Sequence, residues 1–221
     1  MTLLNPFHRW CLVLDDIISL ELTPDWDNPD VRPRLVNCLQ RAKALRSAVA
    51  YWTVPPDFVH QLLADRLSEP HGFLCVDIHL PTDIDQLASL VRRGASVRIF
   101  CEDMPTRRED KRKEETYLVH AKMLLFWMPD RTVELWIGSH NWTRRALIGL
   151  NVEASLIVRM TDSSALFVSA VQYLEKIKRI CQPFDLSQIE FYKKLQSKQD
   201  EETERALEIE AADADSLGAC Q

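Results

Sequence analysis

The chain has 221 residues, 46% hydrophobic and 27% charged, the size and balance of one globular domain with a core. Its five glycines exclude the glycine-rich phosphate loops, because no G-x-G-x-x-G or G-x-x-x-x-G-K-[ST] string can be assembled. The net charge of −6 argues against a nucleic-acid partner only until its distribution is read: residues 200–221 hold eight acids and one base, which leaves 26 bases and 25 acids in residues 1–199.

In chain order, the opening stretch lacks a basic leader, and Asp15 and Asp16 interrupt its apolar run. Asp25, Asp27, Asn28, Pro29 and Asp30 mark a turn-rich connection. Leu35, Val36, Leu39, Ala42 and Leu45 share one helical face over 34–45. A strand over 48–54 follows, then a helix over 55–67 opened by Pro-Pro-Asp, and a strand over 72–80. The helix over 83–93 has acids first, arginines last and Gly94 in the stop position, and a strand over 95–101 comes next. A polar loop at 103–116 balances five acids against five bases, and reads as either solvated or in contact with substrate phosphates. Strands over 117–127 and 132–139 form a hairpin, trailed by a short helix at 141–148, a strand at 151–159 and an amphipathic helix at 164–180. Residues 186–198 look helical. Strands alternating with helices predict an α/β fold, a mixed central sheet with helices on both sides.

No stretch approaches the length of a membrane span, and the six scattered cysteines form no C-x-x-C or zinc spacing, so Cys38, Cys75 and Cys101, set among apolar residues, are expected as buried reduced thiols in the cytoplasm. Trp52, Trp136 and Trp142 read as core residues before base-stacking ones. His8, His60, His71 and His79 have no partner at a useful spacing and read as structural.

His120 and Lys122 are two apart in a predicted strand and so project from one face, beside the apolar Leu124 and Phe126. An imidazole and an ammonium there are costly unless a site uses them. The next strand ends Gly138-Ser139-His140-Asn141, where the glycine permits close backbone approach and Ser139 and Asn141 point one way. The helix start after it offers further N–H donors to an anion. A nucleophile or acid–base group, a fixed cation and hydrogen-bond donors converging on one anion suit in-line attack on a phosphodiester.

These residues resemble the phospholipase D superfamily signature, H-x-K-x4-D-x6-G-S with a following Asn and a downstream Glu, here His120, Lys122, Gly138, Ser139, Asn141 and Glu153. Trp127 stands at the Asp position, with Asp130 in the adjoining turn, and Gly138 comes four residues later than the usual spacing. The resemblance implies a catalytic domain over 31–183, between an N-terminal extension (1–30) and a C-terminal helix with an acidic tail (184–221). It implies that one histidine attacks phosphorus while a second, protonated, serves the leaving oxygen. Lys122, Ser139 and Asn141 would hold the non-bridging oxygens, Glu153 would orient the His120 ring, and no metal or other cofactor is called for.

The family works through two such motifs and this chain has one, so a homodimer with a shared site is expected. Single-motif members are similar to bacterial endonucleases, which favours nucleic acid, DNA first, as substrate, with Arg144 and Arg145 against backbone phosphates. Two alternatives stay open: a phosphodiesterase on lipid headgroups or small diesters, and a non-catalytic module that binds nucleic acid or a protein. The acidic tail reads as solvating sequence, a docking segment for a protein partner, or a screen over the substrate channel.

Overall fold

A computed structural model describes residues 17–24, 27–54, 60–101 and 119–198. The polar loop at 103–116, the Pro-Pro-Asp helix start and the acidic tail lie outside the described residues. No helix among the described residues is long and apolar enough to cross a membrane.

The elements in order are β1 (Ile17–Thr23), α1 (Arg32–Arg41), β2 (Ala44–Val49), β3 (Trp52–Thr53), α2 (His60–Ser68), β4 (Phe73–Asp77), α3 (Ile84–Arg92), β5 (Val97–Phe100), β6 (Lys122–Trp127), β7 (Thr132–Gly138), β8 (Trp142–Thr143), α4 (Arg144–Leu147), β9 (Ser155–Thr161), α5 (Ala165–Ile180) and β10 (Gln182–Pro183). Residues 189–198 are helical. The main sheet runs β1-β9-β7-β6-β2-β4-β5-β10, and β3 pairs with β8 apart from it. β2, β4 and β5 are parallel, while β6, β7, β9 and β1 form an antiparallel half joined to β2. Helices cover both faces, as the alternation of elements predicts. α1, α2 and α3 pack with Leu45, Val49, Leu74, Val76, Leu124, Phe126 and Trp136 on one face. α5 packs its Ala170–Leu174–Ile177 stripe on Phe73, Cys75, Leu125, Leu135 and Val158 of the other.

Local chemistry accounts for the best-defined ends. Asp83 caps α3 by accepting from Gln86 N–H at 3.0 Å, and Gly94 turns the chain out at φ +92°. Ser164 caps α5 through Phe167 N–H at 3.0 Å. The predicted helix over 34–45 is shorter than expected, because β2 already begins at Ala44. Every residue of β2 is buried, Arg46 and Ser47 included, which hid it as a strand. Arg46 sends its Nε to His71 O at 2.9 Å, and Ser47 Oγ accepts from Trp142 Nε1 at 3.0 Å. β1 falls inside the segment read as an extension, yet it pairs with β9 as part of the sheet. Trp52, Trp136 and Trp142 are fully buried and hence unavailable to bases, and Cys38, Cys75, Cys101 and Cys181 are buried thiols, none of them in a disulfide.

Candidate active site

The predicted site residues gather at one end of the sheet, where β6 starts, β7 ends and β9 starts. The strand expected over 117–127 begins in the structure at Lys122, so His120 sits in irregular backbone just before β6. That leaves the imidazole exposed and freely presented while Lys122 is half-buried and registered opposite Val49. The Lys122 Nζ lies 3.0 Å from His120 Nδ1 and 2.9 Å from Nε2, and it also donates to the His120 carbonyl at 3.2 Å. Nζ is thus nearly equidistant from the two ring nitrogens. Burial lowers the pKa of Lys122 below the ordinary lysine value, and the charge of Glu153 opposes that shift.

Gly138 is the last residue of β7 and pairs with Ser155. A Cβ on it would overlap Ala154 O, Ser155 Oγ and Ser155 Cα, so only glycine lets the two backbones come this close. Ser139 then closes a clamp on Ala154. Its N–H donates to Ala154 O at 2.9 Å, its Oγ accepts from Ala154 N–H at 2.9 Å, and its hydroxyl donates back to Ala154 O at a longer 3.3 Å. The clamp fixes the residue that follows Glu153. Glu153 itself precedes β9 instead of lying within the strand expected over 151–159, and accepts from Asn151 Nδ2 at 3.3 Å. No hydrogen bond joins Glu153 to the His120 ring among the described residues.

Asn141 Oδ1 accepts the backbone N–H of Tyr51 at 3.1 Å, which turns its amide nitrogen the other way. The Tyr51 ring meets that of His120 edge-on, with centroids 6.4 Å apart. The helix expected at 141–148 is a two-residue strand, β8, followed by the four residues of α4. The helix-start anion site is therefore withdrawn: a single turn has little dipole, and Thr143 Oγ1 already takes the Ala146 N–H at 3.3 Å. Arg144 and Arg145 are exposed on α4, and Arg145 Nε donates to Asn151 Oδ1 at 3.2 Å, beside Glu153.

No family model matches the sequence, and no curated protein matches it. Solved structures do. Nuc from Salmonella typhimurium, a phospholipase D family member, superposes with a TM-score of 0.53 at 18% identity over 75% of this chain and 97% of its own. The fold is shared with this phospholipase D family member. NucT from Helicobacter pylori gives 0.49 at 15% identity, over 75% and 99% of the two chains. The phosphatidylserine synthase of Haemophilus influenzae gives 0.47 at 17%, over 86% of this chain and 46% of that one.

Within this phospholipase D fold, Trp127 at the signature's Asp position is remote from the site. It ends β6, five residues from Lys122 and so about 17 Å away. There it packs on His71 and Phe167 under the ammonium of Lys43. Asp130 caps the hairpin turn by accepting from Thr132 N–H at 3.0 Å. Among the described residues no cluster of three or more His, Cys, Asp or Glu has a metal-holding arrangement.

Sequence reasoning missed Tyr51, which acts through its backbone and leaves no motif, and it gave His140 no role. His140 is buried, with Nδ1 2.6 Å from Ser155 Oγ. It also read His79 as partnerless, whereas His79 contacts the buried Asp77 two residues earlier.

Replacing Gly138 by Ala should force β7 and β9 apart and cost about 1–3 kcal/mol. Urea denaturation checks this, and an unchanged midpoint would show that the strands separate without penalty. A second outcome concerns acid. Burial lowers the pKa of His140 from the ordinary 6.5, against the opposing charge of Glu153. The unfolded chain therefore binds a proton that the folded chain refuses, so this contribution is complete above pH 6.5 and declines as pH falls below it. His140→Gln should flatten the pH dependence of the unfolding free energy in that range. It should not abolish it, because burial lowers the pKa of His60 as well.

Proposed function

We propose that this chain is a metal-independent phosphodiester hydrolase that cuts nucleic acid, DNA in the first place, at a site shared between two copies. The observation that carries the reading is the Lys122 ammonium held within 3.0 Å of both ring nitrogens of the exposed His120. A cation fixed beside a nucleophile matches an anionic centre that must be attacked. The phospholipase D fold and the ordered signature support the same assignment.

In the proposed reaction His120 attacks phosphorus through a ring nitrogen, and the P–O bond to the leaving group breaks. The histidine of the second copy gives its proton to the departing oxygen. Water then attacks the phosphohistidine, passes a proton to that same second histidine, and the P–N bond breaks to restore His120. Lys122 neutralises non-bridging oxygen charge throughout. The Asn141 amide nitrogen donates to a second oxygen, its direction set by Tyr51. Ser139 joins by exchanging its long bond to Ala154 O for one to substrate while its bond from Ala154 N–H holds. Glu153 supplies the negative charge that opposes loss of the Lys122 proton. Arg144 and Arg145, exposed on α4, suit the flanking phosphates.

Two histidines in opposite protonation states are required, and this motif supplies one per chain. A second copy is the simplest source of the other.

Supercoiled plasmid should be nicked in excess EDTA, and His120→Ala should slow cutting by on the order of 10⁴-fold. Dependence on a divalent metal, or full activity in the variant, would overturn the proposal. Turnover of a phosphatidyl diester with no nicking would move the assignment to lipid, and binding without any trapped phosphohistidine to a non-catalytic module. For the shared site, sedimentation should give twice the chain mass. A fully active monomer would exclude it.

A further inference from the structure

We propose that Asp77 is a positioning residue for His120. The proposal rests on the reading of His120 as the reacting side chain. Asp77 ends β4, and its carboxylate is almost completely buried, at 1% exposure. A carboxylate at that depth is costly unless its oxygens are satisfied. Oδ1 accepts the His79 backbone N–H at 3.0 Å and touches His79 Nδ1. Those two contacts lie within three residues and describe an Asx turn, which shapes the chain after β4 and needs no other purpose.

Oδ2 does something a turn does not require. It accepts the backbone N–H of Val119 at 2.8 Å, across 42 positions of sequence. Val119 is the residue immediately before His120, and its own side chain is buried in the core on the α5 side, with Phe100, Met123 and Leu125. Asp77 shares that face with Phe73 and Cys75 by strand alternation, whereas Lys122 faces the opposite layer with Leu124 and Phe126. The chain entering the site is thus held from behind by Asp77 and presents His120 forward to Lys122. His120 lies outside β6, so no ladder bond of that strand fixes it; Lys122 Nζ reaches its carbonyl from only two residues on, and among the described residues the Val119 bond is the long-range tether beside it. Adjacent Cα atoms are about 3.8 Å apart, so a displacement of Val119 acts directly on the backbone that carries the imidazole. A misplacement of about 1 Å at a reacting centre costs on the order of 100-fold in rate.

The test uses the full chain. In the wild type, amide hydrogen exchange should show Val119 N–H strongly protected; exchange at the free rate would overturn the proposal with no variant needed. Asp77→Asn keeps the shape and loses one of the two accepting oxygens, while Asp77→Ala loses both. In folded Asp77→Ala Val119 should lose protection and the His120 ring resonances should shift, and Asp77→Asn should show the same wherever its one oxygen stays on the His79 N–H. With a cleavable diester, kcat should fall about 10- to 100-fold while KM stays within about threefold. A drop in stability with Val119 protection, His120 resonances and kcat all unchanged would reduce Asp77 to a turn residue and overturn the proposal. The exchange and resonance measurements need no turnover, so they decide the positioning role even if the chain proves not to be a hydrolase.

Discussion

Everything at the site depends on how closely the end of β7 approaches the start of β9. At Gly138 no side-chain atom separates the two backbones, since the space a Cβ would take is filled by Ala154 and Ser155. That proximity lets Ser139 grip Ala154 through both backbone groups and its hydroxyl. It also brings Ser155 under His140. Glu153 is carried into range of Lys122 as the residue next to the grip. A methyl group at one position would act on all of these contacts together, because they share the same backbone seam.

The two ends of the sheet divide the labour. One end gathers His120, Lys122, Asn141 and Glu153. The other end is a packed aromatic and cationic corner, in which Trp127 lies among His71, Phe167, Lys43 and the guanidinium of Arg46. Glu134, mid-strand in β7, is buried beneath Arg34 and Arg159 and takes the Cys38 thiol, an ion cluster that ties α1 to the sheet.

What the sequence revealed and what it concealed follow from the range of the interactions involved. α3 and α5 were legible to within a residue, because Asp83, Gly94 and Ser164 terminate them by local hydrogen bonds. β2 was not, since a strand covered on both faces has no alternation, and Arg46 and Ser47 find partners far along the chain. At the site, His120, Lys122, Ser139, Asn141 and Glu153 were legible as an ordered pattern, and the fold brings them to one end of the sheet. Their local setting was not: His120 and Glu153 lie just outside their strands, and α4 is a single turn. Tyr51 and Asp77 contribute through contacts with a backbone N–H, its own for Tyr51 and that of Val119 for Asp77, and no residue pattern announces such bonds.

β2 carries no chemistry, yet it is the common rail. Val49 is registered against Val76 on its parallel side and against Lys122 on its antiparallel side. A slip of β6 along it by one residue would turn Lys122 to the α5 layer, and a slip by two would carry it about 7 Å from its place. Neither error is small, and nothing lies between them. The arrangement is digital: register is kept or lost in whole residues, so Lys122 reaches its place only where β6 lies on β2 in this one pairing.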